Sequence, residues 1–324
     1  MQNEVLELLK AADDYISGEE ISNKLGVSRT TVWKCVNALK EAGYTILSVT
    51  NKGYKLCERP DILDLNDVKK AMGDYKATCV GTDIRVMRTV DSTNEEIKRL
   101  ARNNAAEGVL VAADIQTAGR GRLGRSWNSQ DGGVYFSFLL RPELAPSDVA
   151  AITLVAGYAV CLVIRRLTGC DAKIKWPNDV IIGNKKVCGI LTEMEAQTDR
   201  VDFVVIGIGI NINQEHFDEE VSQKATSLFL EKGEKMDRST FLAEVSKALD
   251  KAMKSYLLSI STEDMQQFKA LCATIGRRVS VERNNTHIEG TAVDIFPTGE
   301  LIIKTDDGKK VPIYSGEVSV QGIY

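Results

Sequence analysis

A segment rich in glycine and arginine, residues 116 to 127 (QTAGRGRLGRSW), most constrains the fold of this chain. Its glycines disfavour both helix and strand, so the segment predicts a mobile loop. The apolar stretches on either side, 108 to 115 and 134 to 140, predict strands that fix both ends of the loop to one sheet. No acidic residue occurs between Asp114 and Asp131. Glycine amides can form a concave nest of donors, and guanidinium groups pair with phosphate or carboxylate oxygens, so the loop predicts a clamp for an anionic ligand rather than an ordinary solvated loop.

The composition is that of an ordinary globular protein. The 324 residues carry a net charge of -4 and are 44% hydrophobic, so any contact with nucleic acid needs a local basic patch. Seven cysteines are scattered without a Cys-x-x-Cys pair, and the two histidines are His216 and His287. This pattern argues against a disulfide framework, a zinc site and a catalytic triad. Reduced thiols predict a cytoplasmic protein.

Neither the N-terminus nor the longest apolar segment predicts a membrane protein. The first residues, MQNEV, lack the basic and apolar regions of a signal peptide. The longest apolar segment, 149 to 167, contains Arg165 and Arg166 and predicts a buried helix rather than a membrane span. We therefore expect no membrane partner.

The N-terminal part of the chain predicts a winged helix-turn-helix. Residues 1 to 16 have apolar positions at helical spacing, and residues 18 to 25 predict a second short helix. Ser28 is a good N-cap for a third helix that extends to Ala42. Residues 44 to 56 predict two strands, which would form the wing.

A basic patch lies within this N-terminal part. Between Ile21 and Leu56 there are six lysine or arginine residues and one acid, Glu41, so the local charge is +5 in an acidic protein. Such a patch attracts phosphates, and the first turn of a recognition helix presents side chains to the major groove of DNA. A helical module for protein contact is the alternative. The predicted DNA-binding residues are Ser28, Arg29, Thr30, Thr31, Lys34 and Lys52.

The chain as a whole predicts an α+β protein of three domains. Residues 57 to 66 lose periodicity and contain Pro60, so they predict a linker to a central domain with a mixed sheet. Short strands separated by turns such as Asn284-Asn285 predict a small β-barrel at the end. The predicted boundaries are 1–60 for the winged helix-turn-helix, 66–270 for the central domain and 271–324 for the barrel.

The central domain offers cations and amides rather than paired acids. Glu193 and Glu195 alternate onto one strand face, a pattern more typical of a solvated face than of catalytic acids. Lys175, Lys186 and the loop arginines, together with Asp179, suit an enzyme that stabilises developing phosphate charge and positions its reactants.

Four motifs carry a resemblance to a known family. They are GRGRLGRSW at 119 to 127, KWPND at 175 to 179, KVCGILTE at 186 to 193 and GIGIN at 207 to 211. In these motifs, their order and their spacing, the chain resembles the biotin protein ligases. Its N-terminal part resembles the helix-turn-helix of the bifunctional ligases that also repress biotin genes, and its last part resembles their SH3-like barrel. One departure is Leu123, where the family can have a further arginine.

The resemblance implies a class II synthetase-like central domain that catalyses two half-reactions. The carboxylate of biotin attacks the α-phosphate of ATP to give biotinyl-5′-AMP and pyrophosphate, and a carrier-protein lysine then attacks the acyl carbon. Mg²⁺ would offset the triphosphate charge. No protein residue is predicted to bind a metal.

The resemblance also assigns roles to residues. The implied biotin-binding residues are Ser92, Thr93, Asn94, Gln116, Arg120, Gly121, Arg122 and Lys186. The implied nucleotide-binding residues are Arg122, Arg125, Trp127, Asn178 and Asn211. The implied catalytic residues are Lys186, Arg120, Arg122 and Asp179. Among these, Lys186 would bridge carboxylate and phosphate oxygens, and Asp179 would orient or deprotonate the incoming lysine.

The implied partners are a biotin carboxyl carrier protein, from acetyl-CoA carboxylase or another biotin-dependent carboxylase, and operator DNA. Biotinyl-5′-AMP would act as corepressor and favour a homodimer whose two winged domains reach paired half-sites. Two alternatives stay open. One is a lipoate or octanoyl ligase of the same architecture, which we expect to lack the Gly-Arg-Gly-Arg loop, and the other is a DNA-binding ligand sensor without ligase activity.

Overall fold

The computed structural model describes residues 1–198, 200–258, 262–283, 286–314 and 316–324. The chain divides into two compact units, Met1–Asp61 and Ile62–Tyr324. The predicted turn at Asn284 and Asn285 lies outside the described residues. The domain boundaries predicted at residues 60, 66 and 271 stay predictions.

The N-terminal unit is a helix-turn-helix followed by a β-hairpin. Its elements are α1 (Gln2–Ala11), α2 (Gly18–Leu25), α3 (Arg29–Glu41), β1 (Thr45–Val49) and β2 (Gly53–Glu58). Ser28 caps α3, because its Oγ accepts a hydrogen bond from the N–H of Thr31 at 3.1 Å. Gly53 is required after the turn of the hairpin: its φ is 108°, and a Cβ there would lie 2.2 Å from the carbonyl oxygen of Ile16. The two strands pair antiparallel and form the predicted wing.

A seven-stranded mixed sheet forms the centre of the second unit. Its strands are β3 (Asp83–Val90), β4 (Val109–Gln116), β5 (Gly133–Leu140), β6 (Ala172–Lys175), β7 (Asp179–Ile182), β8 (Lys185–Ala196) and β9 (Val201–Asn211). The order across the sheet is β3-β4-β5-β9-β8-β7-β6. β3 and β4 are parallel, and the other neighbours are antiparallel. The glycine-and-arginine segment connects β4 to β5, so both of its ends are fixed to the sheet as predicted.

The second unit also contains helices, which lie before, between and after the strands of this sheet in the chain. They are α4 (Leu65–Met72), α5 (Thr93–Arg102), α6 (Val149–Thr168), α7 (Glu219–Ser222), α8 (Leu228–Lys232), α9 (Arg238–Leu258) and α10 (Thr262–Leu271). The segment Pro146–Thr168, which contains α6, is long and apolar enough to cross a membrane by length and composition alone. However, 61% of its most apolar window is buried, and Ile152 and Ile164 belong to the main hydrophobic core. α6 is therefore a core helix, in agreement with the sequence prediction.

The last part of the second unit forms a five-stranded antiparallel sheet. Its strands are β10 (Arg278–Arg283), β11 (Thr286–Ile295), β12 (Leu301–Lys304), β13 (Lys310–Ile313) and β14 (Glu317–Val320), in the order β13-β12-β11-β10-β14. Val281, Ala292 and Ile303 lie in the same hydrophobic cluster as the side chains of the central sheet. The α+β fold class, with a helix-turn-helix, a mixed sheet and a C-terminal β-sheet, is confirmed.

A buried ion pair joins β4 to α9. Asp114 Oδ1 lies 2.9 Å from Arg238 Nη1, and the two side chains are 2% and 0% exposed. The same carboxylate accepts a hydrogen bond from the backbone N–H of Leu63 at 3.0 Å, and Arg238 also donates to the carbonyl oxygen of Gly133. A buried charge without partners costs several kcal/mol, so these contacts are needed for the pair to exist in the core. They hold the beginning of the second unit against the sheet.

Candidate active site

The first turn of α5 forms one wall of a partly open cavity beside the sheet. Ser92 occupies the N-cap position, but its hydroxyl makes no capping hydrogen bond. The N–H and the hydroxyl of Thr93 donate to Gln116 Oε1 at 2.8 and 3.0 Å. Ser137 of β5 lies 2.6 Å from Asn94 Oδ1 and 2.7 Å from the Thr93 hydroxyl. The helix start therefore presents a hydrogen-bonded set of polar groups to the cavity.

Glu193 on β8 extends this polar set. The amide of Asn94 donates to Glu193 Oε2 at 2.7 Å, and Lys98 Nζ lies 2.7 Å from Glu193 Oε1. Glu195 is more exposed and pairs with Arg102 at 3.1 Å. The expectation that both acids lie on a solvated face is therefore wrong for Glu193, whose carboxylate orients Asn94. Alternation along β8 could not distinguish them, because the difference lies in what α5 places opposite each one.

The glycine-and-arginine segment has a defined hairpin conformation. Arg120 and Ser126 form an antiparallel bridge, and the N–H of Trp127 donates to the carbonyl oxygen of Gly119 at 2.9 Å. At the tip, Leu123 has a φ of 57° and is 72% exposed. The departure from the family pattern at this position therefore places an exposed side chain at the open cleft and not in the inner cavity. The predicted mobility of the loop stays a prediction.

Two arginines of the loop reach different partners. Arg122 donates to Asn178 Oδ1 at 3.0 Å and to the carbonyl oxygen of Gly316 at 3.2 Å. Arg120 is half exposed, and its guanidinium lies 2.7 Å from Glu95 Oε1 on α5. The loop is thus fastened at Arg122 to the KWPND turn and the C-terminal sheet, and at Arg120 to α5.

The indole ring of Trp127 packs against two glycines that lie opposite each other on β8 and β9. Gly189 is the register partner of Gly209, and a Cβ on either would lie 2.6 to 2.7 Å from ring atoms. A Cβ on Gly207 would lie 1.9 Å from Asn94 Oδ1. The GIGIN motif therefore provides space for two side chains of the cavity. Trp127 Nε1 is buried and has no hydrogen-bond partner among the described residues, so it is a donor that a ligand can use.

A lysine and a carboxylate face each other at the edge of this cavity. Lys186 Nζ lies 2.6 Å from Asp179 Oδ1 and 5.0 Å from the centre of a Trp127 ring. The hydroxyl of Tyr324 donates to Asp179 Oδ2, and Lys175 Nζ lies 3.7 Å from the centre of the Tyr324 ring. Tyr324 is not among the predicted site residues, because it is 145 residues from Asp179 and belongs to no motif.

The cavity is continuous with an open cleft of about 2840 Å³, since the two share Arg122, Trp127 and Lys186 in their linings. The predicted biotin-binding residues all line the inner cavity: Ser92, Thr93, Asn94, Gln116, Arg120, Gly121, Arg122 and Lys186. The predicted nucleotide-binding residues all line the cleft: Arg122, Arg125, Trp127, Asn178 and Asn211. Asp179 also lines the cleft. The structure brings both predicted sets together in one depression. The amide of Asn211 also has a structural role, because it donates to the carbonyl oxygen of Thr226 at 2.9 Å.

Comparisons with known proteins agree with these features. Residues 2–55 match the HTH domain family, residues 86–211 match the Biotin/lipoate A/B protein ligase family, and residues 274–321 match the Biotin protein ligase C terminal domain. The chain is 38% identical over 324 residues to the bifunctional ligase/repressor BirA of Bacillus subtilis (strain 168), with 99% of this chain and 98% of the relative covered. The chain belongs to the biotin protein ligase family.

Other members of the biotin protein ligase family show the same likeness. The bifunctional ligase/repressor BirA of Escherichia coli (strain K12) is 30% identical to this chain, with 97% of this chain and 95% of the relative covered. The solved structure of the Aquifex aeolicus biotin protein ligase in complex with biotin and ATP superposes with a TM-score of 0.65 at 35% identity. That match covers 74% of this chain and 98% of the Aquifex chain. The family predicted from the four motifs is confirmed.

The N-terminal unit of this family member carries the predicted DNA-binding residues. Val32, Val36 and Leu39 bury the inner face of α3. Trp33 is 55% exposed on the outer face and is not among the predicted DNA-binding residues. The exposed members of the predicted set are Ser28, Arg29, Thr30, Lys34 and Lys52, and Thr31 is half-buried.

Proposed function

We propose that this protein is an ATP-dependent biotin protein ligase that also represses transcription. It would activate biotin with ATP to biotinyl-5′-AMP and transfer biotin to a lysine of a biotin carboxyl carrier protein. The observation that carries the proposal is the convergence of Arg122, Trp127 and Lys186 on a cavity whose far end is the polar set of α5. The binding of biotin and ATP to the Aquifex aeolicus relative supports it.

The inner cavity suits the head group of biotin. A ureido ring has one carbonyl acceptor and two N–H donors and carries no charge, so it needs neutral hydroxyl and amide partners. Ser92, Asn94 and Gln116 supply such groups at one end of the cavity. At the other end, Lys186 and Arg122 supply positive charge for the carboxylate of the ligand. A concave site with a few convergent polar groups is typical of small-molecule binding.

The cations of the cleft suit the first half-reaction. As the biotin carboxylate attacks the α-phosphate, negative charge develops on the phosphate oxygens, and preorganised donors lower the energy of that state. Lys186 would bridge the carboxylate and the phosphate, Arg122 would close over the product, and Trp127 Nε1 is a donor without another partner among the described residues. Arg125 and Asn178 would contact the nucleotide from the cleft.

Mg²⁺ would enter with the triphosphate. Among the residues that the structure describes, no group of three or more His, Cys, Asp or Glu side chains could hold a metal ion. Mg²⁺ commonly keeps its water ligands and binds through substrate phosphates, so this donor set suits an ion held mainly by ATP. Its contribution would be to offset phosphate charge.

Asp179 would act in the second half-reaction. It lies at the edge of the open cleft, where the lysine of a carrier protein can approach, and Lys186 is next to it. The carrier would come from acetyl-CoA carboxylase or another biotin-dependent carboxylase. We infer a cytoplasmic protein, with catalysis assigned to residues 66–270, and a smaller final domain at 271–324.

The N-terminal unit would bind operator DNA. The exposed start of α3 carries Arg29 and Thr30 in its first turn and Lys34 in its second. Basic side chains attract phosphates, and the helix would enter the major groove. Biotinyl-5′-AMP would be the corepressor, and its binding to the loop would favour a homodimer that reaches two half-sites.

The ligase proposal is tested by incubating the protein with ATP, Mg²⁺ and either biotin or lipoate. We expect biotin-dependent pyrophosphate exchange and labelling of a carrier domain, with no product from lipoate. Lys186→Ala should slow exchange by about 10² or more, as the loss of one oxyanion donor does. Lys185→Ala is the control, because Lys185 is exposed and donates to the carbonyl oxygen of Ser222. A product from lipoate alone would establish the lipoate or octanoyl alternative instead.

Repression is tested by DNA binding of the same preparation with and without biotinyl-5′-AMP. We expect the adenylate to increase operator affinity, and Lys34→Ala to weaken DNA binding and reduce its salt dependence. Equal binding with and without the adenylate would leave a ligase with an unlinked DNA module. Adenylate-dependent DNA binding without carrier labelling would instead establish the ligand sensor.

A further inference from the structure

We propose that Tyr324 is a positioning residue for the transfer of biotin to the carrier lysine. Its hydroxyl fixes one oxygen of the Asp179 carboxylate, so that the other oxygen faces the attacking amine. This inference rests on the proposed ligase function and deepens it. Tyr324 lies outside the four motifs and outside the residues that the family resemblance selects.

Tyr324 is 40% exposed, and two contacts of its side chain, together with its anchored neighbour Ile323, place it beside Asp179. Its hydroxyl donates to Asp179 Oδ2 at 2.5 Å. Lys175 Nζ lies 3.7 Å from the centre of its ring, a distance at which a cation is attracted to an aromatic face. The preceding residue, Ile323, is 2% exposed and forms a backbone bridge with Val320. The phenol therefore has a fixed direction relative to β7, where Asp179 begins the strand.

The second oxygen of Asp179 is in a different situation. Oδ1 is buried, and its partner is the ammonium group of Lys186, whose Nζ lies 2.6 Å away. When Lys186 turns to the phosphate of the adenylate, Oδ1 is left for the nitrogen of the carrier lysine. Tyr324 keeps the carboxylate from rotating at that moment.

The proton stays on the phenol. Burial of the Tyr324 hydroxyl, together with the neighbouring Asp179 carboxylate, raises the pKa of this phenol. At neutral pH Tyr324 therefore keeps its proton and donates it to Oδ2, which leaves Oδ1 for the amine.

The step balances without another reactant. The neutral amine nitrogen forms a bond to the acyl carbon of the adenylate, and the bond from that carbon to the phosphate oxygen breaks. The electron pair of the broken bond leaves on AMP. A proton from the nitrogen passes to Asp179 Oδ1 and then to solvent, and the hydroxyl of Tyr324 keeps its own proton throughout.

The test separates the two half-reactions in the full-length protein. Biotin-dependent pyrophosphate exchange measures activation, and transfer from preformed biotinyl-5′-AMP to a carrier domain measures the second step. Tyr324→Phe keeps the ring beneath Lys175 and removes only the hydroxyl. We expect exchange to stay within about twofold, while the maximal transfer rate falls about tenfold or more and the KM for the carrier is unchanged, as suits the loss of one hydrogen bond to a charged group.

A double-mutant cycle tests whether Tyr324 acts through Asp179. If it does, Tyr324→Phe has no further effect on transfer in an Asp179→Asn background, because the two side chains form one unit. Tyr314→Phe is the matched control, since Tyr314 is 56% exposed in the same C-terminal part. Additive effects of the two changes, or equal slowing of both half-reactions, would overturn the positioning role.

The outcome for the parent protein distinguishes the two proposals. A parent that is active in both steps and unaffected by Tyr324→Phe would overturn this inference alone. A parent inactive in both steps would overturn the proposed ligase function, and the inference with it.

Discussion

Gly209 lies under the indole ring of Trp127, and a Cβ on this glycine would be 2.6 Å from the ring atoms Cε2 and Nε1. The ring thus rests on bare backbone of β9 rather than on side chains. Because real Cβ contacts are essentially never below 3.0 Å, a methyl group at this position forces the ring to move. The placement of Trp127 in the candidate site therefore depends on the absence of one methyl group.

Gly209→Ala should weaken the binding of biotinyl-5′-AMP by about tenfold or more, because overpacking of a close contact costs roughly 1–3 kcal/mol. Adenylate affinity can be measured by titration calorimetry, and tryptophan fluorescence reports on the ring. Gly157→Ala is the control, since its new methyl would meet only Ile190 Cδ1, at 3.6 Å. Unchanged affinity and fluorescence in Gly209→Ala would show that the ring does not rest on this glycine.

Arg122→Gly should release biotinyl-5′-AMP faster. The side chain links the loop to Asn178 and Gly316 and reaches the cavity. A charged hydrogen-bond donor contributes about 1.5–3 kcal/mol, so the release rate should rise about 10- to 150-fold in a chase experiment. Arg200→Gly is the control, because the Arg200 side chain is 72% exposed and lines neither the cavity nor the cleft. Equal release from parent and Arg122→Gly would remove this arginine from the clamp.

Glu193→Gln should lower the affinity for biotin by about 5- to 30-fold, the equivalent of about 1–2 kcal/mol. The carboxylate accepts from Asn94 with one oxygen and from Lys98 with the other. An amide has one oxygen and cannot accept at both ends, so Asn94 loses its fixed orientation. Equilibrium biotin binding is the measurement, and Glu195→Gln, whose side chain is 46% exposed, should leave it unchanged. An equal loss in both variants would point to a general charge effect.

Asp250 should make the stability of the protein sensitive to acid. Its carboxylate accepts the backbone N–H groups of residues 78 to 80 at 2.6 to 2.8 Å and the hydroxyl of Tyr75 at 2.9 Å. Burial by itself raises the pKa of Asp250, but these hydrogen bonds outweigh it and lower the pKa below the usual 3.8. The stabilisation is therefore fully present above pH 3.8 and is lost as the pH falls through the lower, folded-state pKa.

Asp250→Asn should thus lower the free energy of unfolding at pH 7 by about 1.5–3 kcal/mol, the contribution of hydrogen bonds to a charged group. The difference from the parent should shrink as the pH falls below about 4. Urea unfolding at several pH values measures both. Asp74→Asn, an exposed position near Tyr75, is the control. A difference that stays constant down to pH 3 would contradict the charged-acceptor role of Asp250.

The four motifs selected most residues of the candidate site through their resemblance to the biotin protein ligases, whereas its remaining parts depend on tertiary structure. Glycine at fixed spacing in the segments at 119 to 127 and 207 to 211 is typical of a close approach of backbone to another group. The sequence alone did not indicate which group approaches. The structure supplies it: Trp127 for Gly209 and Asn94 for Gly207.

Glu193 and Tyr324 could not be predicted for a related reason. Glu193 differs from Glu195 only through its neighbours on α5, and Tyr324 reaches Asp179 across 145 residues of chain. Both relationships depend on how separate elements pack, and neither leaves a pattern in the local sequence. The helical period of α3 and the apolar run of α6, in contrast, are local properties, and both elements were predicted correctly.

The buried contacts of Asp114 determine where a catalytic fragment can begin. Leu63 donates its backbone N–H to Asp114, and Asp64 both caps α4 and donates its own N–H to Ser239. A fragment that begins at Ile62 retains these bonds. One that begins at Asn66 removes them and should be less soluble when produced alone. Residues 62 to 65, which belong to no motif, would then determine whether the catalytic part can be produced separately from the DNA-binding part.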